Sequence, residues 1–286
     1  MGLPSNACLK TAVAAAVLCT AALARPALAA QPAAVPRLKS NSVLILDSND
    51  ESVLYARRAD VAAPIASITK LMTALVVLEA QQPLDERLEI GRADRELPKG
   101  APSRLAVGTV LTRRDLLHLA LMSSENTAAH ALGQNYPGGL PAMVAAMNAK
   151  AAALGMQSAH FVEPTGLSSQ NVASAEDLSK LVLAASRNPV IREFSTDRRY
   201  SVRVRRRLME FRNTDNLVAN PAWNIVVQKT GYIAEAGRCL VMEAVIEGRS
   251  VVIVLLDSIG KLTRVADAKR VKSWMETGAA FKVSMR

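Results

Sequence analysis

APIASITKLMTALVVLEA, residues 63–80, places one serine and one lysine at the head of an almost wholly apolar helical run. A helix that is apolar on all sides belongs in the middle of a domain. Ser67 and Lys70 stand three apart, so both side chains lie on one face of the first turn. A serine hydroxyl is inert at neutral pH unless a base takes its proton, and a lysine can be that base when burial and a second cation depress its pKa. The pair therefore predicts a nucleophile where a central helix meets a cleft. By itself the pattern is weak. Ser-x-x-Lys occurs by chance about once in a chain of this length, and Ser258-Ile259-Gly260-Lys261 is a second match.

On the N-terminal side, SVLILDS (42–48) and SVLYA (52–56) flank Asn49-Asp50-Glu51 and read as a β-hairpin, preceded by a Pro-rich, exposed lead-in over residues 31–40. On the C-terminal side, helices are expected over 111–122, where Thr112 and Asp115 are spaced as a capping box, and over 138–155, stopped by Gly155. Another runs from Ala175 to Arg187, capped by Ser174 and ended before Pro189. After Pro189 the character changes to β. YSVRVRRR alternates, WNIVVQKTG leads into a glycine, and RCLVMEAVIEG turns through Gly248 into SVVIVLLDS. A last helix over 262–275 gathers Leu262, Val265, Val271 and Trp274 near one face. Strands at both ends with helices between predict an α+β fold, an antiparallel sheet flanked by helices with a helical subregion.

The chain has 286 residues, half of them hydrophobic, enough for a substantial core. Lys10, an alanine-rich apolar run over 11–24, Arg25-Pro26 and Ala27-Leu28-Ala29 form an export signal cleaved near Ala29. That run is shorter than the roughly 18 residues that span a bilayer, so no transmembrane anchor is expected in the mature chain. The domain plan is a signal peptide over 1–29, a lead-in over 30–40 and one catalytic domain over 41–286. The net charge of +10 favours anionic cell-envelope polymers. Nucleic acid is not expected, because aromatics are only 3% and no reader motif is present. Cys239, the one cysteine beyond the signal, reads as a small buried hydrophobe, and His118, His130 and His160 lack metal-ligand spacing. The basic run 198–212 reads as a solvated hairpin with Tyr200, Val202 and Val204 inward and Arg203 and Arg205 outward; a rim for anionic peptidoglycan is its alternative.

Beyond the candidate nucleophile come Ser124-Glu125-Asn126, directly after an apolar helix, and Lys229-Thr230-Gly231, read at a strand end. The order Ser-x-x-Lys, Ser-x-Asn, Lys-Thr-Gly marks the penicillin-recognising serine acyl-enzymes. The chain resembles the low-molecular-mass penicillin-binding proteins, the D-alanyl-D-alanine carboxypeptidase and endopeptidase family, most of all the penicillin-binding protein 7 type of endopeptidase. PIASITKLMTA, LMSSENTAAHAL, FVEPTGLSSQN, QKTGYIAEAGRCLVM and LLDSIGKLTRVADAKRVKSWM carry the resemblance.

The resemblance implies a penicillin-binding-protein/β-lactamase-like fold, peptidoglycan stem peptides as substrate, β-lactams as covalent inhibitors and no cofactor. It implies Ser67 as the acylated nucleophile and Lys70 as its base. Ser124 relays a proton to the leaving amine, and Asn126 holds the peptide and positions Lys70. Lys229 supplies positive charge, Thr230 binds the substrate carboxylate, and Gly231 lets the substrate lie against the strand edge. The N–H groups of Ser67 and Tyr232 form the oxyanion hole. The missing second, all-β domain and C-terminal anchor favour an endopeptidase acting on the D-alanyl to diaminopimelate cross-link over a carboxypeptidase. A β-lactamase would need a deacylating glutamate, but Glu163 is followed by Pro-Thr-Gly-Leu in place of the lactamase Glu-x-x-Leu-Asn. A wall-binding module without catalysis is the remaining alternative. FVEPTGL reads as a structural loop in which Gly166 supplies an unusual backbone angle.

Overall fold

Runs rich in Val, Ile and Leu lie at the two ends of the chain, and they meet in one sheet. The structure, a computed structural model, describes residues 1–2, 35–97 and 103–278. The expected signal peptide beyond its first two residues, the start of the lead-in and the tail from 279 lie outside the described residues.

In chain order the elements are β1 (Ser40–Asp47), β2 (Val53–Arg57), β3 (Ala63–Pro64), a one-turn 3-10 helix (Ala66–Ile68) and α1 (Thr69–Glu79). Then come β4 (Arg87–Glu89), β5 (Val110–Thr112), α2 (Arg113–Met122), α3 (Asn126–Gln134), α4 (Gly139–Ala153), β6 (Val172–Ala173), α5 (Ala175–Ser186) and α6 (Pro189–Thr196). The last third holds β7 (Arg199–Val204), β8 (Arg207–Arg212), a short 3-10 helix (Asn216–Ala219), β9 (Asn224–Ile233), β10 (Gly237–Ile246), β11 (Arg249–Ser258) and α7 (Thr263–Glu276). The described residues from 35 onward cluster as one compact unit.

The main sheet has the order β2-β1-β11-β10-β9, and each pair in it is antiparallel. Antiparallel sheets commonly keep one wet face, which gives alternating sequences. Here both faces are covered, so the central strands read as nearly continuous apolar runs. Alternate residues divide between two cores. Leu44, Leu46, Val241, Val252 and Val254 face the helical subregion, whereas Val43, Ile45, Leu240, Met242 and Ile253 pack on Ala268, Val271 and Trp274 of α7. β9 is an outer strand, with one edge unpaired within this sheet. Among the described residues no helix is long and apolar enough to cross a membrane.

All three expected hairpins form, β1–β2, β7–β8 and β10–β11, and the helices over 111–122, 138–155 and 175–187 stand as α2, α4 and α5. Thr112 and Asp115 close a capping box on α2, as Ser174 and Asp177 do on α5. Other expectations are corrected. The chain does not turn to β at Pro189: Asn188 caps α6 by accepting from the Val190 and Ile191 N–H groups, with Pro189 in the first turn, where its missing donor costs nothing. α3, unforeseen, follows Glu125 without a side-chain cap. The lead-in is not wholly exposed, because Leu38 and Ser40 are buried and Asp267 of α7 accepts from the Lys39 and Ser40 N–H groups. Leu262 lies at the N-cap of α7 and is exposed, off the buried face. Lys229-Thr230-Gly231 sits inside β9, which continues to Ile233, and does not end it.

Candidate active site

α1 is buried from Thr69 to Val77, as its composition requires, so any polar side chain on it must find partners inside the protein. Thr69, Lys70 and Thr73 find them on one loop, residues 163–171. Lys70 Nζ donates to the Thr165 carbonyl at 2.6 Å, Thr73 Oγ1 to the Pro164 carbonyl at 2.7 Å, and Asn171 Nδ2 to Thr69 Oγ1 at 3.1 Å. The loop is folded around the Glu163 carboxylate. One oxygen accepts from the Thr165 N–H and hydroxyl, and the other from the Gly166 and Ser168 N–H groups and the Asn171 amide. Gly166 has φ +80°, and a Cβ there would lie 1.9 Å from the Ala66 carbonyl oxygen. The loop is structural, as expected, but it also touches the candidate base.

Ser67 occupies the 3-10 turn ahead of α1 and is partly exposed. Ala66 before it has φ +48°, a left-handed conformation costing on the order of 1–3 kcal/mol in a non-glycine residue. Lys70 is fully buried. Its Nζ lies 2.8 Å from Ser67 Oγ and 2.7 Å from Asn126 Oδ1, so with Thr165 all three ammonium hydrogens have acceptors. Burial lowers its pKa from 10.5 to about 7, against the opposing pull of Glu163 and Glu125. Ser124 is placed in the α2–α3 turn with φ +59°, and Asn126 opens α3.

β9 brings the third motif to the turn that carries Ser67. A Cβ on Gly231 would stand 3.0 Å from the Ile65 carbonyl oxygen and 3.2 Å from the Ser67 nitrogen, so the approach of the turn leaves a side chain there only a tight fit. Lys229 is fully buried, with Nζ donating to the Thr230 carbonyl at 3.0 Å. Its pKa lies well below the usual lysine range through burial first, then Lys70 and Arg264. Thr230 Oγ1 lies 2.6 Å from Thr214 Oγ1. Tyr232 is exposed, with the Arg238 guanidinium 4.4 Å above its ring.

Ser67, Lys70, Asn126 and Gly231 are thus brought into one place by direct contact, and Lys229 lies near enough to feel the charge of Lys70. Sequence reasoning passed over three neighbours: the Thr165 carbonyl, Glu125, and Arg264, whose Nη1 donates to the Gly231 carbonyl at 2.9 Å. The competing motifs fall elsewhere. Ser258 is buried on β11 against Ser40 while Lys261 is exposed, and Asn171 is a loop anchor. Cys239 is buried and its thiol is pushed up to about 11, which removes it as a nucleophile at neutral pH. Among the described residues no three His, Cys, Asp or Glu side chains gather as metal ligands do.

Residues 29–260 match the D-alanyl-D-alanine carboxypeptidase family. The chain is 51% identical over 243 residues to a D-alanyl-D-alanine endopeptidase of Pseudomonas aeruginosa, covering 84% of this chain and 78% of the relative. It is 46% identical over 257 residues to the D-alanyl-D-alanine endopeptidase of Escherichia coli, covering 89% and 83%. Among solved structures, a DD-transpeptidase of Streptomyces superposes with a TM-score of 0.79 at 27% identity, covering 84% of this chain and 98% of that one. A D-alanyl-D-alanine carboxypeptidase from Mycobacterium tuberculosis gives 0.79 at 29%, covering 87% and 95%.

Proposed function

The chain belongs to the D-alanyl-D-alanine carboxypeptidase family of peptidases, and from that premise we propose a serine DD-peptidase that opens peptidoglycan cross-links as an endopeptidase, through an acyl-enzyme on Ser67. The observation that carries the chemistry is the Lys70 amine, fully buried, 2.8 Å from Ser67 Oγ and with its pKa brought to about 7. A base with that pKa is substantially neutral at neutral pH yet still able to hold a proton.

In its neutral form Lys70 takes the Ser67 proton as Oγ attacks the carbonyl carbon of the D-alanine that is joined to the neighbouring stem peptide. The N–H groups of Ser67 and Tyr232 receive the developing oxyanion. Collapse expels the amine of the neighbouring stem peptide, protonated through Ser124, and leaves an ester on Ser67. Water then hydrolyses the ester, releases the D-alanine carboxylate and returns the proton to the serine. Asn126 holds the peptide and keeps Lys70 aimed at Ser67. Lys229 and Thr230 face the carboxylate beside the scissile bond. The free edge of β9 suits an extended peptide, which can add to it as a strand. A β-lactam enters the same path and stays on Ser67.

The Glu163 carboxylate, occupied by five donors, is poorly placed to activate water as a lactamase glutamate does. Export to the cell envelope with a leader over residues 1–29 fits this substrate. The Pseudomonas and Escherichia relatives, 51% and 46% identical, are both named endopeptidases, which favours cross-link cleavage over pentapeptide trimming. The test is to incubate the protein and its Ser67→Ala variant with pentapeptide monomers and cross-linked dimers and follow products by mass. Loss of dimers with little D-alanine release, absent in the variant, is expected. D-alanine released from monomers instead would make it a carboxypeptidase, and no turnover would leave a wall-binding protein.

A further inference from the structure

Thr214 lies outside the three motifs, between β8 and the second 3-10 helix, yet its hydroxyl is 2.6 Å from that of Thr230. The backbone at this point is held without the help of that hydroxyl. The Thr214 N–H donates to the carbonyl of Met122 at 3.1 Å, at the end of α2 and two residues before Ser124. Asn213 Nδ2 donates to the Ser195 and Asp197 carbonyls at 2.9 and 2.8 Å, and Asn213 Oδ1 accepts from the Asp215 N–H and from Gln228 Nε2, both at 2.9 Å. Gln228 is fully buried on β9, two residues before Thr230 and on the same face of the strand. Asp215 is buried as well and accepts from the Leu217 N–H at 2.9 Å. One short segment therefore ties β9 to the ends of α2 and α6. It leaves the Thr214 hydroxyl beside Thr230 on a residue that is itself exposed, where a ligand touching Thr230 can reach.

We propose that Thr214 is a positioning residue for the Thr230 hydroxyl: Thr214 donates to Thr230 Oγ1, so that Thr230 donates its own proton to the substrate. Each hydroxyl carries one proton and two lone pairs. Were Thr230 to give its proton to Thr214, a carboxylate would meet only lone pairs at Thr230 and be repelled. Thr214 has a proton to give in return, so the bond between the two can reverse as the anion arrives. A hydroxyl that accepts one hydrogen bond is polarised and donates a stronger one. Thr214 thus acts on the carboxylate through Thr230. The inference rests on the DD-peptidase reading, in which Thr230 faces the carboxylate beside the scissile bond.

The test is a double-mutant cycle on the second-order rate of Ser67 acylation by benzylpenicillin, which carries a carboxylate on its bicyclic nucleus. Five forms of the full chain are compared: the parent, Thr214→Val, Thr214→Ser, Thr230→Val, and the two valine substitutions together. Valine keeps the shape of threonine and removes the donor, and the Tm of each form is measured alongside. Thr214→Val is expected to slow acylation about threefold to tenfold, the effect of one hydrogen bond between neutral groups. Thr214→Ser, which restores the donor, is expected within about twofold of the parent. Adding Thr214→Val to Thr230→Val is expected to change nothing further, because Thr214 then has no hydroxyl to orient. A Thr214→Val variant as fast as the parent overturns the inference, as does a serine variant that fails to recover the rate. So does a loss of equal size in the Thr230→Val background, because Thr214 would then act through the fold or on another group. A Thr230→Val variant as fast as the parent overturns it too, by removing the group that Thr214 is held to orient. If penicillin does not acylate the parent on Ser67, the DD-peptidase reading itself fails, a result distinct from acylation that is indifferent to residue 214.

Discussion

Replacing Glu163 by glutamine separates a carboxylate that shapes the site from one that does chemistry. Glutamine keeps the shape but turns one acceptor oxygen into a donor. Whichever oxygen is lost, at least two of the five donors now at Glu163 face an N–H₂ group. With bonds to a charged acceptor contributing about 1.5–3 kcal/mol each, and with partial exposure of the residue weakening them, the loss of stability is about 2–4 kcal/mol. The effect on Lys70 is more diagnostic. Glu163 raises the Lys70 pKa by its charge, and the loop it holds presents the Thr165 carbonyl to Nζ; both favour the charged amine. Removing them lowers the Lys70 pKa further below about 7. The neutral base then persists to lower pH, and the acid limb of the pH profile for acylation moves toward acid. One hydrogen bond of about 1 kcal/mol and one nearby charge together make a shift of roughly one pH unit, at about 1.36 kcal/mol per unit. The assay is the second-order rate of penicillin acylation between pH 5 and about 9, with the deacylation rate followed separately. A limb that stays in place or moves alkaline refutes the positioning role. A deacylation rate that drops by orders of magnitude would instead make Glu163 the base for water.

Gly166→Ala would drive a methyl group to 1.9 Å from the Ala66 carbonyl, so the turn carrying Ser67 must move; acylation is expected to fall by about a hundredfold or more, and a variant that acylates normally would show the turn to be tolerant. His118 stacks between Phe194 and Tyr200 and burial lowers its pKa from 6.5 to about 4, against the pull of Glu193 and Asp115. Between those values the unfolded chain binds a proton that the folded chain does not, so stability is lost as pH falls from about 6.5 toward about 4 and is unaffected above that window. The loss is about 1–3 kcal/mol, discounted because Asp197, beside Nε2, is half exposed. The measurement is urea unfolding at several pH values, and a His118→Phe variant with the same pH slope as the parent would count against it. Asn188→Ala removes the cap of α6 and is expected to cost about 1 kcal/mol, read as a lower Tm; recovery with Asn188→Asp distinguishes the cap from general packing.

What could be read from the sequence was what local chemistry dictates. The capping boxes at Thr112 and Ser174 fix helix starts within a few residues, and Gly248 marks the turn between β10 and β11. α6 carried a signal of the same kind in Asn188-Pro189, but a proline read only as a stop hides its use as a first-turn residue. α3 has no capping side chain, and its start is set by the Glu125 N–H reaching the Leu119 carbonyl across the turn. Three motifs in order pointed to Ser67, Lys70 and the β9 segment Lys229–Gly231, and the structure brings these segments together. The rest of the site is made of atoms that have no sequence signature: a carbonyl at Thr165, and left-handed backbone at Ala66 and Ser124. Neither residue type favours that conformation, so the surroundings must impose it. At Ala66 the clamp is visible, since Gly166 presses on its carbonyl and Gly231 packs against its side chain. Both glycines therefore crowd the turn that carries Ser67 from outside it. A motif search finds Ser67 and Lys70; the loop and strand that aim them become legible only when the glycines are asked what a Cβ would strike.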